Sequence, residues 1–158
     1  MKKSIFLFFA AILCAMSISA ANMKGGEVLY LKPNSNWTSS NAWFAMFLCN
    51  GTSGDKWVKM TKSGDYYMAT VPTGDYKNVI FCRMNNANTT KLDWSNKWNQ
   101  SGDLSFDQKK NLCTINSGQW DCGTNVTWST HKPTSTASLA TSSANIFVGG
   151  QATLTPSI

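Results

Sequence analysis

The side chains of this chain that are equipped for chemistry at a surface are aromatic and amide groups rather than ionisable ones. Residues 93–103 read DWSNKWNQSGD and set Trp94 and Trp98 among Ser95, Asn96, Asn99, Gln100 and Asp103. An indole offers a flat apolar face, and the carboxamides beside it offer donors and acceptors. That combination suits a pyranose ring, whose C–H face stacks on an aromatic while its rim hydroxyls take hydrogen bonds. Tryptophan gives up little entropy in such a contact, having only two side-chain torsions. The competing reading is a polar loop pinned by two half-buried indoles.

A second pair of aromatics emerges from strand alternation. Residues 42–49 (AWFAMFLC) put Phe44, Met46 and Leu48 on one face and Trp43, Ala45 and Phe47 on the other. In residues 57–62 (WVKMTK), Val58 and Met60 read as core, while Trp57, Lys59 and Thr61 face away. Pairing of these two segments sets Phe47 and Trp57 on one exposed surface. A Trp there, with no packing duty, needs a reason. Ordinary core or edge packing competes with this reading at each of the seven Trp, all between Trp37 and Trp128.

The rest of the composition removes the common catalytic and nucleic-acid classes. There are eight acidic residues and one histidine, His131, so a His-based metal cluster or a Ser-His-Asp triad is disfavoured. A glycosidase needs two carboxylates flanking a cleft, one with a raised pKa. Asp93 and Asp103 are the candidates, but both stand in a polar loop with nothing to desolvate them. The basic residues are scattered and include a single Arg, Arg83, where a nucleic-acid surface would show a stripe. The expectation is a binding module, not an enzyme, with no catalytic residue, metal or cofactor.

These residues must be positioned by short strands. Turn residues at near-regular spacing divide residues 26–128 into segments with no sustained helical period, the pattern of an all-β sandwich. Strands are expected at 27–32, 42–49, 57–62, 66–71, 78–84, 103–106 and 111–116, with a last one within 120–128. Residues 57–62 and 66–71 are expected to form a hairpin around Ser63-Gly64-Asp65. Residues 78–84 (NVIFCRM) are apolar on both faces and read as central. Residues 85–101 read as too rich in Asn for a strand, and residues 107–110 as a charged turn.

The ends read differently from the middle. Lys2 and Lys3, the apolar run 5–16 and the small residues 17–21 have the form of an export signal, cleaved after Ala21 or Ala20. Leu13 stands where a lipobox before Cys14 needs a small residue. Removal of residues 1–21 leaves 137 of the 158 residues, enough for one sandwich core, and takes the formal charge from +6 to +4. Nine of the fifteen residues 129–143 are Ser or Thr, so 129–144 reads as a linker. Residues 145–158 regain apolar alternation, as at the start of a second β domain, with a frayed tail as the alternative. The organisation expected is a leader at 1–21, a β-sandwich at 22–128, a linker, and a truncated neighbour. The location expected is extracellular or cell-surface, with no membrane insertion once the leader is removed. Cys49, Cys82, Cys113 and Cys122 allow three disulfide connectivities in such a compartment. Cys82 and Cys113 both lie mid-strand, and a Cys82–Cys113 bridge with a Cys49–Cys122 bridge is favoured. Buried free thiols are the alternative. Close spacing of the kind structural zinc uses is missing.

The ordered strings 29–37 (LYLKPNSNW), 44–47 (FAMF), 57–62 (WVKMTK), 66–85 (YYMATVPTGDYKNVIFCRMN), 96–104 (NKWNQSGDL) and 118–121 (GQWD) carry a family resemblance. Over about residues 28–123 the chain resembles the starch-binding modules of carbohydrate-binding module family 26, of the type found in secreted proteins of Bacteroidales bacteria. The resemblance implies an antiparallel β-sandwich, immunoglobulin-like or jelly-roll-like, that binds α-1,4-glucan without cleaving it. It implies a ligand surface of strand aromatics and loop polar groups. Phe47 falls where the family usually has Tyr; a phenyl ring stacks but donates no hydroxyl hydrogen bond. Trp57 falls at the platform Trp, and Gln100 at a sugar-binding amide beside a short hydroxyl residue. The loop at 85–97 is longer than in the best-known members, and leaves Trp94 and Trp98 without a family role. Residues 148–156 (VGGQATLTP) are similar to the opening of a bacterial immunoglobulin-like module. The expected sugar-binding set is Phe47, Trp57, Trp94, Trp98, Asn99 and Gln100. Its partners are α-glucan poly- or oligosaccharide and linked domains of the same chain, with no nucleic acid. The alternative is an adhesion or structural module that binds another glycan or a protein.

Overall fold

The computed structural model describes residues 22–106 and 109–133. The expected leader, the linker beyond residue 133 and the expected second domain lie outside these residues. The chain opens with β1 (Met23–Lys24) and β2 (Val28–Lys32), which runs into Pro33. One helical turn follows, α1 (Ser35–Thr38), whose cap is Asn34: its Oδ1 accepts from the Trp37 N–H at 2.9 Å. Then come β3 (Trp43–Cys49), β4 (Lys56–Lys59), β5 (Thr61–Ser63) and β6 (Tyr66–Thr70). The later strands are β7 (Asp75–Tyr76), β8 (Asn78–Met84), β9 (Lys97–Gln100), β10 (Leu104–Ser105), β11 (Leu112–Ile115) and β12 (Val126–Ser129).

The strands form two five-stranded sheets and a small ribbon of β1 with β7. The first sheet has the order β10-β8-β3-β4, with β9 pairing along the same edge of β8 as β10. The second has the order β12-β11-β2-β6-β5. Every pair is antiparallel except β2 with β11, which run parallel. The fold is therefore an all-β sandwich, as the segment pattern implies. Between the sheets lie Phe44, Met46, Leu48, Val79 and Phe81 from the first and Leu29, Leu31, Ala69, Cys113 and Ile115 from the second. Central placement of residues 78–84 also holds: β8 is bonded on both edges, and six of its seven residues are buried.

Two expectations need correction. Residues 57–62 do not make one strand. The segment breaks at the buried Met60, whose N–H donates to the Phe44 carbonyl at 2.9 Å. Its first half pairs with β3 and its second with β6, so the chain crosses from one sheet to the other. Only the β5 half forms the expected hairpin, turning at Gly64 with φ 61°. Residues 97–100 are a strand despite their Asn content, because pairing with β8 outweighs local preference. Strands form within both 103–106 and 111–116, at 104–105 and 112–115, and they lie in different sheets.

The disulfide expectation also fails. The four cysteines among the described residues, Cys49, Cys82, Cys113 and Cys122, are buried free thiols. Cys49 and Cys82 belong to the cluster on the outer face of the first sheet, and Cys113 and Cys122 to the interior. Both favoured bridges would join sulfurs on opposite sides of a sheet backbone. Burial pushes the Cys82 thiol up to about 12, and burial with Asp103 and Asp55 nearby pushes Cys49 up to about 11. Burial, with a smaller push from Cys122, raises Cys113 as well. Thiolate, the reactive form, is scarce at neutral pH. The native protein is expected to react slowly with a disulfide reagent such as DTNB at pH 8, and to titrate all four of these thiols on unfolding in guanidinium without reductant. A titre of two would restore a bridge.

Chain order continues beyond Trp128. Ser129 closes β12, and the His131 N–H and carbonyl exchange hydrogen bonds with the Asn111 side chain at 2.8 and 3.1 Å. The His131 ring packs on Tyr30 and Tyr66, with centroids 4.4 and 4.5 Å away. Tyr30 alternates with the interior residues Leu29 and Leu31, so His131 covers the outer face of the second sheet.

Candidate aromatic binding surface

The first sheet carries a second apolar cluster on its outer face: Trp43, Ala45, Cys49, Ile80, Cys82 and Met84, with Phe47, Trp57 and Leu92 packed against it. Strand alternation produces it directly, since these residues interleave with those facing the interior. Phe47 stands opposite both Trp57 on β4 and Ile80 on β8. The Phe47 and Trp57 ring centroids are 5.0 Å apart.

The loop between β8 and β9 closes over this face and adds Trp94. Its ring meets Phe47 and Trp57 edge-on, each centroid 4.7 Å away. The three rings thus pack mutually in tilted or T-shaped pairs, the geometry that aromatic quadrupoles prefer. Phe47 and Trp57 are half-buried, while Trp94 keeps 42% of its surface exposed. The outcome is an aromatic ridge with one open indole.

The Asn residues that made this stretch look unstructured hold the loop in shape. Asn88 Oδ1 accepts from the N–H groups of Thr90 and Lys91 at 3.1 and 3.0 Å. Asn96 Nδ2 donates to the carbonyls of Asn88 and Lys91 at 2.8 and 2.9 Å. Lys59 donates to the Thr89 carbonyl at 2.7 Å and lies 4.9 Å from the Trp43 ring, tying loop to sheet. Asp93 caps the turn that carries Trp94, accepting from the N–H groups of Ser95 and Asn96. Hydrogen bonding from the Ser95 hydroxyl and the neighbouring Lys91 ammonium hold the Asp93 carboxyl below the usual carboxylate range. A carboxylate held ionised in this way is poorly suited to act as a general acid.

The six expected site residues do not form one constellation. Phe47, Trp57 and Trp94 come together. Gln100 lies on the same face, opposite Cys82, which is itself opposite Ala45. Two strand spacings, about 10 Å, separate it from β3. Trp98 and Asn99 turn the other way. The register of β8 with β9 slips between Arg83 and Met84, and Trp98 is the extra residue there. Its ring lies 4.4 Å from the Arg83 guanidinium carbon, and Asn99 Oδ1 accepts from Arg83 at 3.3 Å.

Two participants escaped the sequence reading. Leu92 packs beneath the loop, and its only signal was an apolar residue in a polar run. Arg83 is 5% exposed and donates to the carbonyls of Trp37 and Ser39 at 2.9 and 2.8 Å. A lone Arg at an inward position of an apolar strand was the available clue. Comparison with protein-family models, with curated proteins and with solved structures returns no match to this chain.

Proposed function

We propose that this domain binds α-1,4-linked glucan without cleaving it, as one module of an exported protein. The observation that carries the reading is the Phe47–Trp57–Trp94 ridge, three rings within 5.0 Å on an outer sheet face with Trp94 open. A solvent-facing aromatic ridge on a rigid sheet, with Gln100 on the same face, matches the two parts of a pyranose: an apolar face and a hydroxyl rim. The preorganised loop spares the ordering cost of binding. The choice of α-glucan among sugars rests on the family resemblance and on the placement of Trp57 and Gln100 within it. Among the described residues no helix is long and apolar enough to cross a membrane.

One stacking site with a few hydrogen bonds gives a Kd of roughly 10–1000 µM, or about −4 to −7 kcal/mol. Native electrophoresis through amylose is expected to retard the protein, and maltoheptaose to quench its Trp fluorescence saturably in that range. Cellohexaose, a β-linked control, is expected to do neither. No response to either α-glucan would overturn the reading and leave adhesion to another glycan or protein.

A further inference from the structure

We propose that Asn96 is the positioning residue of the aromatic ridge: it sets affinity for the ligand through Trp94, by fixing the loop that carries that indole. The inference rests on the proposed binding role of the ridge and adds the residue that governs it. Two of the three rings need no such help. Phe47 and Trp57 project from β3 and β4, which pair from Ala45 with Lys59 to Leu48 with Lys56. Trp94 comes instead from the loop between β8 and β9. It is one of two large apolar side chains left exposed among the described residues, at 42%; the other, Trp120 at 48%, lies outside the ridge. Trp94 meets its two neighbours only edge-on. An exposed indole on a loop keeps one orientation only where the loop backbone is held.

Asn96 is where that backbone is gathered. It stands two residues after Trp94, immediately before β9, and is 7% exposed. Its carbonyl accepts from the Asn85 N–H at 2.8 Å, which closes the neck of the loop. Its own N–H donates to Asp93 Oδ1 at 3.1 Å. Its Nδ2 donates to the carbonyls of Asn88 and Lys91 at 2.8 and 2.9 Å. One residue thus joins positions 85, 88, 91 and 93.

The other ties are weaker or act elsewhere. Lys91 and Asp93 form an ion pair at 3.3 Å, but both groups stand largely in solvent, where such pairs contribute little. Lys59 holds Thr89, and Asn86 holds the Ser40 carbonyl, both on the stretch that leads up to Trp94. Only Asn96 ties that stretch to the one that follows the indole from a buried position. The carboxamide is required, not merely a side chain of that size. Aspartate has the same shape, yet it would set carboxylate oxygens against two carbonyl oxygens and leave both without a donor. The loop would then populate other arrangements, with Trp94 away from Phe47 and Trp57. A ligand would have to restore the order, and that cost appears as lost affinity.

The test uses the full chain and two readouts. Indoles 4.7 Å apart with 66° between their planes couple excitonically, so Trp57 and Trp94 contribute a paired circular-dichroism band, identified by its loss in Trp94→Phe. Asn96→Asp is expected to lose that band with no sugar present, and to weaken retention on amylose and binding of maltoheptaose by about 3–10-fold. In a Trp94→Ala background the same substitution is expected to change retention on amylose by less than about twofold, because the group it acts through is gone. A band retained in Asn96→Asp overturns the proposal. So does an affinity within about twofold of wild type when the band is lost, or an equal loss of retention in both backgrounds. If Asn96→Asp does not fold, Asn96→Ser takes its place with the same expectations. A wild type that binds no α-glucan removes the ridge reading, and the band alone then decides whether Asn96 positions Trp94.

Discussion

Trp57→Ala is expected to remove the aromatic ridge's contribution to maltoheptaose and amylose binding while the sandwich remains folded. Trp57 lies on β4, an edge strand of the first sheet, with its ring half-buried. It touches Phe47 and Trp94 and no residue between the sheets requires it. Removing it takes away one wall of the ridge and half of the support for Trp94. Aromatic anchors of this kind typically cost 2 kcal/mol or more when truncated, about 30-fold in Kd. From a starting Kd of roughly 10–1000 µM, that moves binding toward the detection limit of calorimetry. The structural cost is smaller: two aromatic pairs at about 0.5–1.5 kcal/mol each, beside some lost burial. Far-UV circular dichroism should be unchanged. Binding within threefold of wild type would place the sugar elsewhere.

Trp37→Ala has the largest expected effect on stability. Trp37 is fully buried, stacks on Phe44 at 6.2 Å and 5° between planes, and donates its indole N–H to the Trp120 carbonyl. Substitution leaves a cavity and strips that carbonyl of its partner. Large-to-small changes of this type cost about 3–5 kcal/mol. For a domain of this size, 4 kcal/mol corresponds to a fall in Tm of about 15 °C. Trp37→Phe keeps a ring and loses the hydrogen bond, so a smaller loss is expected. A destabilisation under about 2 kcal/mol for Trp37→Ala, measured by urea unfolding, would contradict the packing described.

What could be read from sequence follows the range of the forces involved. The Phe47–Trp57 surface was legible because period-two alternation is local, and Val58 and Met60 marked the opposite face. The same alternation could have argued against the cysteine pairing, since Cys49 shares its face with Phe47 and Cys82 lies next to the inward Phe81. The crossing at Met60 was not legible, because an unbroken apolar alternation looks the same whether its two halves join one sheet or two. The bulge at Trp98 was hidden likewise. It depends on where Arg83 lies, a contact made across strands. Trp120 lay in a short string whose exposure is decided by Asn34 and Trp37, more than eighty residues earlier.

The resting place of His131 sets a direction for the whole molecule. The chain leaves across the back of one sheet, whereas the aromatic ridge crowns the back of the other. If the ridge holds a polymer as proposed, that polymer and the chain at His131 lie on opposite sides of the slab. On that reading the sandwich would be a spacer as well as a grip, and a linked domain would approach the same polymer without competing for the surface that holds it.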